Sequence, residues 1–129
     1  MFTNSKAFSS FSVDDIGAAK HFSGDTLGLD VSEEPMGLLA PHLGGGGTVL
    51  VYPKDDHTPA QFTILNFPVD DIDAAVDGLA AAGISLAISP HLGEPDAKGI
   101  SRSPGEGPDI TWFTDPAGNV LAVMADTTP

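Results

Sequence analysis

The chain has 129 residues, of which 41% are apolar, and its 18 acidic against five basic side chains leave a formal net charge of −13. That surface repels phosphate backbones and excludes nucleic acid as a partner. No run approaches the ~20 apolar residues of a membrane-spanning helix, and Met1–Lys6 carry no basic-then-apolar leader pattern. The absence of cysteine rules out thiol nucleophiles, disulfides and thiolate metal sites and fits a cytoplasmic location.

Residues 7–13 read as a strand, ending at Asp14-Asp15, either of which can cap the following helix by accepting a bond from a free first-turn amide. The helical pattern runs through Ile16, Ala19 and Phe22 and stops before Leu27-Gly28, with Gly28 suited to a left-handed cap. Three short strands follow at 29–34, 36–43 and 48–53. Gly44–Gly47 form the hairpin turn between the last two.

The same order then begins again. Phe11-Ser-Val-Asp-Asp-Ile-Gly-Ala-Ala recurs as Phe67-Pro-Val-Asp-Asp-Ile-Asp-Ala-Ala, seven of nine positions identical at an offset of 56. A repeat on this scale means two similar modules, each too small to stand alone, with a site expected where they face each other. Residues 62–69 form a strand, and Asp70-Asp71 cap a helix whose apolar positions Ile72, Ala75, Val76 and Leu79 keep helical spacing. Gly83 ends that helix, a strand spans 84–89, and 90–108, rich in glycine and proline, form a long irregular loop. Strands at 109–114 and 120–125 flank Asp115-Pro-Ala-Gly-Asn119, a type I turn closed by a glycine bulge. A second short echo, Pro-His-Leu-Gly at 41–44 and 90–93, does not share the module offset and is coincidental.

This order resembles the vicinal oxygen chelate superfamily, which includes glyoxalases, bleomycin-resistance proteins and extradiol dioxygenases. The residues carrying the match are Phe11-Ser-Val-Asp-Asp-Ile, Thr26-Leu-Gly-Leu29, Asn66-Phe-Pro-Val-Asp-Asp-Ile, Leu79-Ala-Ala-Ala-Gly83 and Trp112-Phe-Thr-Asp-Pro-Ala-Gly-Asn-Val-Leu121. The resemblance implies an α+β fold: one domain over 1–129, made of two βαβββ modules at about 7–57 and 61–126. They form a curled mixed sheet, a cup, with helices packed outside. It also implies a homodimer. Metal-using members place donors near the start of the first strand and on the last strand of each module. Those positions fall here on Phe8, Leu50 (or Tyr52 in a shifted register), Ile64 and Ala122. None of Phe8, Leu50, Ile64 and Ala122 can bind zinc, iron, nickel or manganese, which need imidazole or carboxylate donors. No metal or other cofactor is therefore expected.

Side chains alternate across a strand. If those four positions line the cup, so do Ser10, Ser12, Tyr52, Phe62, Asn66 and Met124, and Trp112 joins them because Phe113 belongs to the core. Phe11, Val13, Val49, Val51, Leu65, Phe67, Val69, Leu121 and Val123 then face the helices. An apolar, aromatic wall with a few polar handles suits a small-molecule ligand; side chains filling the cup are the alternative. His21 is expected on an exposed helix face. His42, His57 and His91 lie in or beside loops, where one could act as a general base, since imidazoles titrate near neutral pH. Lys98 and Arg102 are either solvated or available to an anionic ligand group. The expected function is binding of an apolar or aromatic, possibly cationic, small molecule. A lyase, isomerase or dioxygenase with a non-standard metal site or metal-free acid–base catalysis is the alternative.

Overall fold

A computed structural model of the chain describes residues 1–84, 86–87, 95–102 and 108–126. The expected strand positions 85, 88 and 89, His91 and the loop stretch 103–107 lie outside the described residues. The chain divides into two compact units, Met1–Thr58 and Pro59–Pro129.

Unit 1 runs β1 (Ser9–Val13), α1 (Ile16–His21), β2 (Asp30–Glu34), β3 (Leu38–His42) and β4 (Val49–Pro53), in the sheet order β1-β4-β3-β2. β1 lies parallel to β4, and the remaining pairs are antiparallel. Asp15 is the N-cap of α1, its Oδ1 accepting from Ala18 N at 3.1 Å. The helix continues as a π-helical turn over Phe22–Thr26 and stops at Gly28 (φ 75°). The strand expected at 36–43 begins two residues late, because Pro35–Gly37 form a 3₁₀ turn in which Met36 (φ 68°) and Gly37 (φ 76°) are both left-handed. Val13, Ala19, Phe22, Leu39, Val49 and Val51 make the core, where α1 packs on β3 and β4.

Unit 2 repeats the plan: β5 (Thr63–Val69), α2 (Ile72–Ala81), β6 (Leu86–Ala87), β7 (Ile110–Thr114) and β8 (Val120–Ala125), ordered β5-β8-β7-β6. The shared order of one strand, one helix and three strands is the α+β arrangement that the resemblance implies, and in both units the first and last strands pair in parallel. Asp71 caps α2, with Oδ1 accepting from Ala74 N at 3.1 Å. The other end closes through two bonds of 3.0 Å, Gly83 N–H to Ala80 O and Ile84 N–H to Leu79 O. That motif needs a left-handed residue, and Gly83 has φ 79°. The turn after β7 takes the expected form, Gly118 N–H donating to Asp115 O and Asp115 N–H to Asn119 O, both at 3.0 Å. Ile72, Val76, Ile100, Phe113, Leu121 and Val123 are buried, and Phe67 stacks on Phe113 with ring centroids 6.5 Å apart.

The described part of the expected loop, residues 95–102, is more structured than its composition suggests. Ser101 bridges Ile110 through backbone bonds of 2.8 and 3.0 Å, and Ile100 is fully buried. Gly99 (φ 88°) lies so close to Leu86 that a Cβ there would stand 2.6 Å from its Cδ1. A strap over 95–102 is therefore sewn to the edge of β7.

Candidate functional site

Each sheet has one side against its helix and one side turned away. On β7, Thr111 and Phe113 are buried, while Ile110 and Trp112 between them are half-buried. Alternation places Trp112 on the side away from α2. The register across three strands is Asn66–Ala122–Trp112, with Pro68–Met124–Ile110 as the next row on that side. Asn66 is exposed, Met124 is half-buried, and Ala122 between its two larger neighbours has no exposure at all.

β5 carries a feature that strict alternation does not foresee. Thr63 pairs with Val120 but Leu65 with Leu121, so two residues advance against one, and Ile64 sits in the resulting bulge. Thr63 thereby joins the face of Val120 and Ala122. Its Oγ1 accepts a hydrogen bond from Trp112 Nε1 at 3.1 Å. Thr63 was invisible to a parity count, because a bulge leaves no fixed mark in the sequence. Phe62, just before the bulge, is 71% exposed, and Phe8, just before β1, is 65% exposed.

In unit 1 the corresponding face carries Ser10 opposite Leu50 and Ser12 opposite Tyr52. Ser10 is exposed, and Leu50, Ser12 and Tyr52 are half-buried. One further residue arrives from beyond β4. Lys54 N–H donates to Val13 O at 2.9 Å, which extends the parallel pairing, and His57 N–H donates to Lys54 O at 3.1 Å, which turns the chain back. His57 Nδ1 and Ser12 Oγ then share a hydrogen bond of 2.7 Å. The parallel pairing sets the end of β4 beside the end of β1, and no local pattern in the sequence announces it.

The metal donors implied by the resemblance do not fit. Phe8 stands just before β1, Ile64 and Leu50 are the second residues of β5 and β4, and Ala122 is the third of β8. A hydrocarbon side chain offers no lone pair to a divalent ion. Among the described residues no group of three or more His, Asp or Glu side chains could hold one. The described histidines are spread out: His42 Nε2 bonds Ser32 Oγ at 2.6 Å, and His21 Nδ1 donates to Asp25 Oδ2 at 2.8 Å.

Lys98 and Arg102, considered above as anion holders, are engaged with carboxylates. Arg102 reaches Asp73, Asp96 and Asp109 at 2.8, 2.8 and 3.3 Å, and Lys98 reaches Asp73 and Asp77 at 3.2 and 3.0 Å. Hydrogen bonds from Arg102 and then Lys98 hold the Asp73 carboxyl down at about 2, from an ordinary 3.8. A ligand anion would have to displace these partners. In each acidic pair it is the second member, Asp15 or Asp71, that caps the helix. A groove of about 480 Å³ between α1 and β2 is lined by Gly17, Lys20, His21, Gly24, Asp25, Leu29 and Val31. Lys20 there is likewise paired with Glu33, and His21 is hydrogen-bonded to Asp25.

Solved structures of the same fold follow this chain over nearly its whole length. A glyoxalase family protein from Enterococcus faecalis superposes with a TM-score of 0.69 at 22% identity, covering 96% of this chain and 99% of the other. A lactoylglutathione lyase from Agrobacterium tumefaciens gives 0.68 at 21% identity, covering 95% of each. An antibiotic binding protein from Streptomyces sp. CB03234 gives 0.69 at 21% identity, covering 97% and 99%. No curated protein matches the sequence significantly. Residues 8–123 match the Glyoxalase/Bleomycin resistance protein/Dioxygenase superfamily, and the chain belongs to it.

Proposed function

We propose that this chain is a metal-independent binding protein for an apolar or aromatic small molecule, held on the sheet faces that turn away from α1 and α2. The observation that carries the reading is the residue content of the four positions expected to hold metal donors: Phe8, Leu50, Ile64 and Ala122. On unit 1 the supporting face carries Leu50 and Tyr52, with Ser10 and Ser12 as hydrogen-bonding handles and Phe8 before the first strand; on unit 2 it carries Trp112 and Met124, with Asn66 as the handle and Phe62 and Ile64 at the strand start. Apolar area supplies affinity there and a few polar groups supply orientation. The net charge of −13 favours a cationic ligand over an anionic one. The antibiotic binding protein from Streptomyces is a precedent for ligand binding on this fold.

The chain is further proposed to be one domain over 1–129, with modules at about 7–57 and 61–126, and to act as a cytoplasmic homodimer. Each four-stranded sheet has two edge strands, and pairing with a second copy is one way to cover them.

A second reading is favoured by the 2.7 Å Ser12–His57 hydrogen bond. It pairs a hydroxyl with an imidazole beside Tyr52, an arrangement able to move a proton on a bound lyase or isomerase substrate without a metal.

Native mass spectrometry of gently purified protein separates these readings. A dimer free of divalent metal, alone or with an organic molecule released unchanged in mass, is the expected result. A stoichiometric divalent metal overturns the binding reading. A retained compound whose mass changes on incubation favours the second.

A further inference from the structure

We infer that Thr63 is a positioning residue for Trp112, and that the bulge delivering it pre-orients the indole as a stacking platform for a planar aromatic cation. This rests on the reading of the unit 2 sheet face as a ligand surface and narrows the class of ligand.

In a regular strand Thr63 would share a face with Leu65 and Phe67, on the helix side. The step from Thr63↔Val120 to Leu65↔Leu121 moves it to the face of Ala122 and Trp112. The bond from Trp112 Nε1 to Thr63 Oγ1, 3.1 Å long, restrains the second side-chain torsion of the tryptophan, which is otherwise broad. It uses the edge of the ring and leaves its π faces for other contacts.

Across the row, Asn66 and Trp112 flank Ala122 on successive strands. Two strand spacings put their backbones roughly 9–10 Å apart. The face therefore presents a half-buried indole and an exposed amide, with the fully buried Ala122 beneath them. A π face attracts cations, and the net charge of −13 acts in the same direction. The matching ligand is planar, aromatic and cationic, with a hydrogen-bonding edge.

The probe is acridine orange, a three-ring cation, titrated into the full chain. Trp112 is the single tryptophan, so its emission and anisotropy report this site alone. Thr63→Val keeps the side-chain shape and removes the acceptor, whereas Thr63→Ser keeps the hydroxyl. We expect the dye to quench Trp112 and Thr63→Val to weaken binding about three- to tenfold, as the loss of one neutral hydrogen bond does. Indole anisotropy should fall even without dye. Thr63→Ser should restore both to within about twofold. Unchanged anisotropy and affinity in Thr63→Val overturn the positioning role. If Thr63→Val does not fold, Thr63→Ala is read by the same criteria.

Failure of the wild-type chain to bind, or equal binding by Trp112→Phe, overturns the reading of the face; dye-free anisotropy then decides the role of Thr63 separately. Equal affinity for pyrene sulfonate, a planar anion, overturns the preference for a cation.

Discussion

Asp73, on α2, and Arg102, 29 residues further along the chain, meet as a two-pronged fork: Nη2 donates to Oδ1 at 2.8 Å and Nη1 to Oδ2 at 3.2 Å. The same guanidinium donates through Nε to Asp96 at 2.8 Å, so the chain's single arginine clasps the strap to the helix. Below this clasp Ile100 is fully buried and Thr111 donates to Gly99 O at 2.8 Å. Arg102→Met should loosen the strap and leave the sheet intact. Hydrogen exchange should accelerate at the amides of Lys98 and Ile100, both held by Asp96 Oδ1, more than in β8. Arg102→Lys should rescue this only in part, because an ammonium cannot reproduce the fork.

The clasp has an acid limit of known sign. The Asp73 carboxyl is lowered from 3.8 to about 2 by its Arg102 and Lys98 hydrogen bonds. A depressed native value means the contribution is complete above about pH 4 and is lost as pH falls through about 2. Solvent screening keeps it small at this exposed site. In a comparison of urea midpoints between pH 5 and pH 2, Asp73→Asn should flatten the slope, whereas a slope equal to wild type would remove Asp73 from the account.

Ala122 is fully buried in the register row between Asn66 and Trp112. Ala122→Leu should overpack this row and destabilise the chain by about 1–3 kcal/mol. It should also displace the indole, shifting Trp112 emission in the folded protein. Urea denaturation followed by that emission reads both effects in one experiment.

Asp71 Oδ1 receives the amide of Ala74 at the start of α2. Asp71→Ala should cost about 1 kcal/mol, Asp71→Ser much less, as expected of a cap and not of a catalytic carboxylate. Ligand affinity measured on the folded variants should not change.

Met36 is 92% exposed and left-handed at φ 68°. Nothing around the side chain offsets that conformation, so Met36→Gly or Met36→Asn should stabilise the β2–β3 hairpin by about 0.5–1 kcal/mol. A lower melting temperature in both variants would show that the methionine makes a contact of its own.

The repeat, the acidic pairs that supply each helix cap, the Gly28 and Gly83 helix stops and the Asp115–Asn119 turn were legible because each is a local rule written in adjacent residues. So was the division of strand faces that buries Val13, Val49, Val51, Phe113, Leu121 and Val123. What escaped depends on partners distant in sequence. The bulge at Ile64 follows from how β5 seats on β8. His57 meets Ser12 through the parallel pairing of β1 and β4. The strap looked shapeless because its order comes from Arg102 finding Asp73, and glycine and proline content alone does not report such a clasp.

The parallel outer strands also set an order of assembly during synthesis. β1 pairs with β4 from Ser9↔Val49 onward, whereas β5 pairs with β8 from Thr63↔Val120 onward. The amino-terminal sheet can close once Pro53 has left the ribosome. β5 must wait, unpaired on that edge, until Ala125 is made, and contacts so far apart in sequence are slow to form. Phe62 and Ile64, at the head of that waiting strand, are thus the apolar groups through which a half-made chain is most open to association with its neighbours. Protease resistance of stalled nascent chains should appear for the first sheet well before the second; simultaneous protection of both would contradict this order.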